Sequence, residues 1–171
     1  MKIAIMGYSG SGKSTLARKL AEKYALDILH FDQVQFLPNW EIRETVEKER
    51  LTKEFLDSHD AWVIDGNYSK LSYERRLEEA DSIILLLFNR FSCLWRAYRR
   101  FRTYHNTIRP DMAEGCQEKF DWEFMRWILR DGRTKRARQR YQQIVSQYGE
   151  KVVVIQNQRQ LDAYQKMLAE R

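Results

Sequence analysis

The sequence predicts a three-layer α/β fold: a five-stranded parallel sheet with helices on both faces. Three observations lead there. Five short apolar runs alternate with longer amphipathic stretches, the order that βαβ crossovers require. Residues 83–88 are apolar throughout, as a strand buried on both faces must be. A glycine-rich turn at 7–14 joins the first apolar run directly to the first amphipathic stretch. At 171 residues the chain suits one domain with a real core.

Each element has its own signal. Residues 2–6 form a buried strand, and 14–24 have helical period through Leu16, Ala17, Leu20, Ala21 and Tyr24. A second strand covers 28–31 and ends at Asp32, before a break at Pro38-Asn39. Residues 41–58 read as a helix whose apolar points are Val46, Leu51, Phe55 and Leu56. The third strand is 61–64, closed by Asp65-Gly66-Asn67, and a short helix follows at 73–80. After the fourth strand, 82–88, come helices at 91–104, 121–130 and 133–148, with a loop at 109–116. A fifth strand at 151–155 and a helix at 158–170 close the chain.

Composition excludes several classes. With 43% hydrophobic and 32% charged residues the chain is a folded protein, not a disordered one. No apolar run approaches the roughly 20 residues that cross a bilayer, and no signal peptide is visible, so a cytoplasmic protein without membrane contact is expected. Two cysteines, Cys93 and Cys116, make no disulfide framework and no zinc site. The net charge of +6 is uneven. Residues 90–140 hold 14 Lys/Arg against 6 Asp/Glu, and the rest of the chain holds 16 against 18. That basic segment suits a polyphosphate or a nucleic acid, and equally a solvated helical face.

The motif that carries chemistry is Gly7-Tyr8-Ser9-Gly10-Ser11-Gly12-Lys13-Ser14, followed by Thr15. It matches G-x-x-x-x-G-K-[ST] between a strand and a helix, the context of a phosphate-binding loop. Glycines let the backbone turn tightly against phosphate oxygens, and the amides form an anion nest at a helix N-terminus. Lys13 is placed to reach the β- and γ-phosphates, and Ser14 to put its hydroxyl on Mg²⁺. Residues 7–15 are therefore the expected site for a nucleoside triphosphate, ATP with Mg²⁺, on a P-loop nucleoside triphosphate hydrolase fold. No Asn-Lys-x-Asp guanine motif is present, which argues against a GTPase.

From Asp65-Gly66 onward the chain resembles the adenylate-kinase-like group of small P-loop kinases. The resemblance implies that Asp65 holds Mg²⁺ through water, although Asp-Gly is also an ordinary turn. It also implies that Arg96 and Arg100, four apart on one helical face, contact the donor phosphates. A solvated basic helix explains the same pair. Four blocks, 7–15, His30-Phe31-Asp32, 62–68 and 109–116, together resemble the DNA topology modulation protein family. That resemblance implies an adenylate-kinase-related ATPase, and no particular reaction. The chain departs from adenylate kinases after Asp65-Gly66, where Asn67-Tyr68-Ser69 replaces Phe-Pro-Arg.

On the acceptor side, Asp32 is a candidate base or acceptor ligand by resemblance to small-molecule kinases, with a turn cap as its alternative. Trp40 and Tyr68 are candidates for stacking on a ring, and Arg43, Arg75 and Arg76 for meeting an acceptor phosphate. His30 reads as a core residue. Arg109, Arg133 and Arg136 are candidates to swing onto phosphates with a lid. The organisation expected is one domain, 1–171, with an acceptor-side helical region at 33–60 and a lid-like insertion at 90–140. The expected activity is transfer of the ATP γ-phosphoryl group to an unidentified small acceptor. The alternative is an ATPase or nucleotide-dependent regulator acting on DNA through residues 90–140.

Overall fold

The computed structural model describes residues 1–104, 107, 111–113 and 115–170. The order is β1 (Lys2–Gly7), α1 (Lys13–Tyr24), β2 (Asp27–His30), α2 (Phe31–Gln35), α3 (Thr45–Ser58), β3 (Trp62–Asp65), α4 (Tyr73–Glu79) and β4 (Ser82–Leu86). Then follow α5 (Arg90–Thr103), α6 (Trp122–Leu129), α7 (Lys135–Tyr148), β5 (Val152–Ile155) and α8 (Gln158–Ala169). Single 3-10 turns sit at Pro38–Trp40, Asp131–Arg133 and Gly149–Lys151.

The five strands form one sheet in the order β2-β3-β1-β4-β5, and every pair is parallel. Alternate side chains of the central strands feed two cores. Ile3, Ile5, Val63, Ile84 and Leu86 pack with Leu16, Leu20, Ala97, Ile128 and Leu161 from α1, α5, α6 and α8. Ala4, Met6, Ile64, Ile83 and Leu85 pack with Val34, Leu56, Leu77, Tyr141 and Ile144 from α2, α3, α4 and α7. The helices therefore cover both faces, as the alternation of elements predicts.

Helix starts follow capping chemistry. The side chains of Asn89, Asp121, Thr134 and Asn157 each accept a backbone N–H from the first turn of α5, α6, α7 and α8. Hence α6 begins after Asp121, and α7 after Thr134 rather than at Arg133. Among the described residues no helix is long and apolar enough to cross a membrane. Both cysteines are buried and free.

Three expectations need correction. The second strand stops at His30, and Phe31 opens α2, so Asp32 lies in the first turn of a helix instead of ending a strand. Phe31 is fully buried. That apolar side chain reads as strand, but it is the inward anchor of a single turn too short to show a period. The acceptor-side helix starts at Thr45, because 36–42 fold back on themselves through an antiparallel Phe36↔Ile42 bridge. Its buried line is Lys48, Thr52 and Leu56, while Val46 is exposed. The fourth strand ends at Leu86, with Leu87 N–H still donating to Ile155 O.

Arg76 fastens the loop after β3. It is fully buried, with its guanidinium 4.5 Å from the Phe31 ring centre and 5.3 Å from that of Tyr73. Nη1 donates to Gly66 O at 3.0 Å and Nη2 to Tyr68 O at 2.6 Å. Burial pushes its pKa down to about 9, which still leaves a cation at neutral pH. Its neighbour Arg75 pairs with Asp57 and Glu79. Neither arginine lines the cavity shared by Lys13, Ser14 and Asp65. Arg76→Lys keeps the charge but loses the planar fork that serves two carbonyls. It is expected to cost about 2 kcal/mol in urea unfolding.

Candidate functional site

The chain leaves β1 toward one edge of the sheet and β3 toward the other, so the loops after these two neighbours part over the carboxyl ends of the strands. The 7–15 loop lies there. Gly7 has φ 141° and Gly10 φ 78°. A Cβ on Gly7 would collide with Leu86 O, and one on Gly10 with Cys93 O, so only glycine lets the loop lie against β4 and α5. Tyr8 O accepts from Ser11 N at 3.1 Å and from Lys13 Nζ at 3.1 Å. Burial lowers the pKa of Lys13, and Asp65 and Asp32 act against that shift.

The loop after β3 locks this turn in place. Gly7 N donates to Asn67 Oδ1 at 2.9 Å, and Asn67 Nδ2 donates back to Gly7 O at 2.6 Å. Two residues earlier Asp65 Oδ1 meets His30 Nδ1 at 2.7 Å, both side chains buried. The parallel register sets His30 opposite Asp65. Ser14 and Asp65 line one cavity, a hydroxyl and a carboxylate of the hard-oxygen type that suits Mg²⁺. Among the described residues no three His, Cys, Asp or Glu converge on a metal site. Two protein oxygens fit a cation completed by phosphate and water, as Mg²⁺ favours.

That cavity, about 1030 Å³, is lined by Ser9, Lys13 and Ser14 and also by Asp32 and Tyr68. Tyr68 Oη donates to Asp32 Oδ1 at 2.7 Å. Burial, reinforced by the charge of Asp32, raises the phenol pKa, so Tyr68 stays a donor. Trp40 lines the same cavity, edge-to-face with Phe36 at 5.1 Å between ring centres. Arg43 is held elsewhere, its Nε donating to Val34 O at 3.0 Å. Another cavity of about 710 Å³, between α4 and α7, includes Tyr73 and Gln147 and none of the 7–15 loop.

Both arginines of the α5 pair reach the larger cavity. Arg96 lies against the phosphate loop, close enough that a Cβ on Gly12 would strike its Nη2. It also crosses the Phe88 ring at 4.9 Å and donates to the Gln158 side chain. Burial lowers its pKa. Arg100 pairs with buried Glu118, Nη2 to Oε1 2.6 Å. Arg133 stacks on Tyr8 at 3.7 Å and donates to Ile128 O and Phe88 O, so it braces the loop from behind. Arg136 is exposed in the first turn of α7, and Arg109 lies outside the described residues. From α6, Trp127 Nε1 donates to Ser9 Oγ at 3.1 Å.

Sequence reasoning overlooked Asn67, Lys48 and the partnership of His30 with Asp65. Only the strand order, which sets β2 beside β3, could have revealed the last.

No family model matches the chain, and no curated protein matches it. Solved structures do. Deoxyadenosine kinase from M. mycoides with bound dCTP aligns over 100% of both chains at 16% identity, with a TM-score of 0.54. The same kinase with bound dATP covers 99% of this chain and 100% of its own, at 16% identity and a TM-score of 0.53. TT1252 from Thermus thermophilus covers 99% of this chain and 97% of its own, at 16% identity and 0.53. The fold shared with these structures is that of P-loop nucleoside triphosphate hydrolases. Asn67→Ala removes both bonds to Gly7. It is expected to weaken MgATP binding about tenfold by titration calorimetry, with urea stability falling by only about 1–2 kcal/mol.

Proposed function

We propose that this protein is an ATP-dependent phosphotransferase of the nucleotide-kinase type, acting on a small hydroxyl-bearing acceptor. The observation that carries this reading is one cavity that Lys13, Ser14 and Asp65 line together with Asp32, whose charge reaches Lys13. The kinase neighbours of the same fold support it. Deoxyadenosine kinase was solved with dCTP and with dATP bound.

In this reading the 7–15 amides and Lys13 bind the triphosphate, whose oxygens offset the burial that depresses Lys13. Ser14 and Asp65 would hold Mg²⁺, which supplies charge neutralisation at the phosphates. His30 orients the Asp65 carboxylate from behind. Asp32 takes the acceptor's hydroxyl proton, fixed in direction by Tyr68. The acceptor oxygen then forms a bond to the γ-phosphorus as the bond to the β–γ bridging oxygen breaks, leaving ADP. Arg96 and Arg100 stabilise the charge on the transferring group, Arg100 after release from Glu118. Residues 90–140 serve as the lid and 33–60 as the acceptor side. Use of MgATP would fit a cytoplasmic location. The four blocks shared with DNA topology modulation proteins support a relation to that family.

The test is transfer of label from γ-phosphate-labelled MgATP to a panel of nucleosides and hydroxyl metabolites. At least one acceptor is expected to be labelled. Asp32→Asn is expected to lower kcat by about 100-fold or more with MgATP affinity retained. Absence of any labelled acceptor, or an Asp32→Asn enzyme at full rate, would overturn the assignment.

A further inference from the structure

The acceptor end of the cavity carries a group of hydrogen-bond donors whose arrangement selects one kind of ligand. Gln35 lies one turn along α2 from Asp32, and both line the cavity. A glutamine amide reads adenine with both of its atoms, the oxygen accepting from the exocyclic amine while the nitrogen donates to the ring. Here that option is closed. Lys48, buried at 8% exposure, donates Nζ–H to Gln35 Oε1 at 3.1 Å. Lysine has donors only, so the atom facing it is the amide oxygen, and the half of Gln35 that Lys48 does not engage is its NH₂.

Two further observations point to a ligand. Lys48 itself lines the cavity although it sits on the buried line of α3, where an apolar residue is the ordinary occupant. Trp40, in the same wall, holds a backbone φ of 67° after Asn39 at 62°, a conformation that costs a bulky residue about 1–3 kcal/mol. Gln35 Nε2 and Lys48 Nζ are the donors on this wall. What they match is an oxygen acceptor on a planar ring, since Phe36, Trp40 and Tyr68 supply aromatic walls.

Resting on the phosphotransferase reading of this cavity, we infer that the acceptor is a nucleoside whose base presents a carbonyl oxygen to Lys48 and the Gln35 amide. Its sugar hydroxyl then lies toward Asp32. Thymidine has such a carbonyl and deoxyadenosine does not. The pairing of Lys48 with Gln35 turns a two-way adenine reader into a one-way carbonyl reader.

The experiment is titration calorimetry on the full chain with thymidine, with 2′-deoxyadenosine and, separately, with MgADP. The protein is expected to bind thymidine at least about tenfold more tightly than deoxyadenosine. Lys48→Met frees Gln35 Oε1 and is expected to lower thymidine affinity about tenfold and to erase or reverse the preference. Gln35→Glu keeps an oxygen on Lys48, and so keeps the local fold, but replaces the donating NH₂ by an acceptor. It is expected to weaken thymidine about tenfold or more even if Lys48→Met fails to fold. Deoxyadenosine bound as tightly as thymidine by the natural protein would overturn the inference, as would no heat for either nucleoside or unchanged thymidine binding in Gln35→Glu. Thymidine heat without MgADP heat would sink the phosphotransferase reading and leave the carbonyl site standing. MgADP heat without thymidine heat would do the reverse.

Discussion

Asn67 and Gly7 exchange two hydrogen bonds, and the position of everything else in the cavity follows from that exchange. The bonds tie the end of β1 to the loop after β3 at the point where the chain diverges to opposite edges of the sheet. The same short loop is held from two other sides. Arg76 grips the carbonyls of Gly66 and Tyr68 from below. Tyr68 reaches across to Asp32 on α2. Residues 66–68 therefore form a junction between the 7–15 loop, α2 and the core. All three are joined through bonds of 2.6–3.0 Å.

The charges around the junction are arranged with little redundancy. Lys13 lies between the carboxylates of Asp65 and Asp32 and feels both, yet burial still lowers its pKa. Arg100 carries its own counter-ion in Glu118, so the charge brought by that arginine is balanced in this conformation. Arg96 is different, since it lies over the Phe88 ring and donates to the neutral Gln158 side chain. Of the two, Arg96 is the cation already against the glycine loop.

Much of this was legible in the sequence, for identifiable reasons. Strand alternation and the uniformly apolar fourth strand predict a doubly covered parallel sheet, and the glycine spacing around Lys13 admits few backbone paths. Asp65 was legible because it closes an apolar run. The remainder required spatial order. A five-residue helix has no periodicity to detect, so Phe31 and Asp32 read as the end of a strand. Lys48 was hidden by the ordinary rule that polar residues face water. Of the apolar points of its helix, Leu56 is buried and Leu51 and Phe55 pack against the core, whereas Val46 is exposed and Lys48 and Thr52 are buried in line with Leu56. His30 and Asp65 stand 35 positions apart, and only the adjacency of β2 and β3 makes them a pair.

The indole of Trp127 rests on Ser9, inside the loop that would receive a triphosphate tail. Half of that ring surface is open to solvent, and it is anchored by a single hydroxyl. A tenant of the loop must compete with the indole for Ser9 or rearrange beside it. The molecule thus carries a native fluorophore against the 7–15 loop, one of five tryptophans, whose share of the emission would register a tenant there without any attached dye.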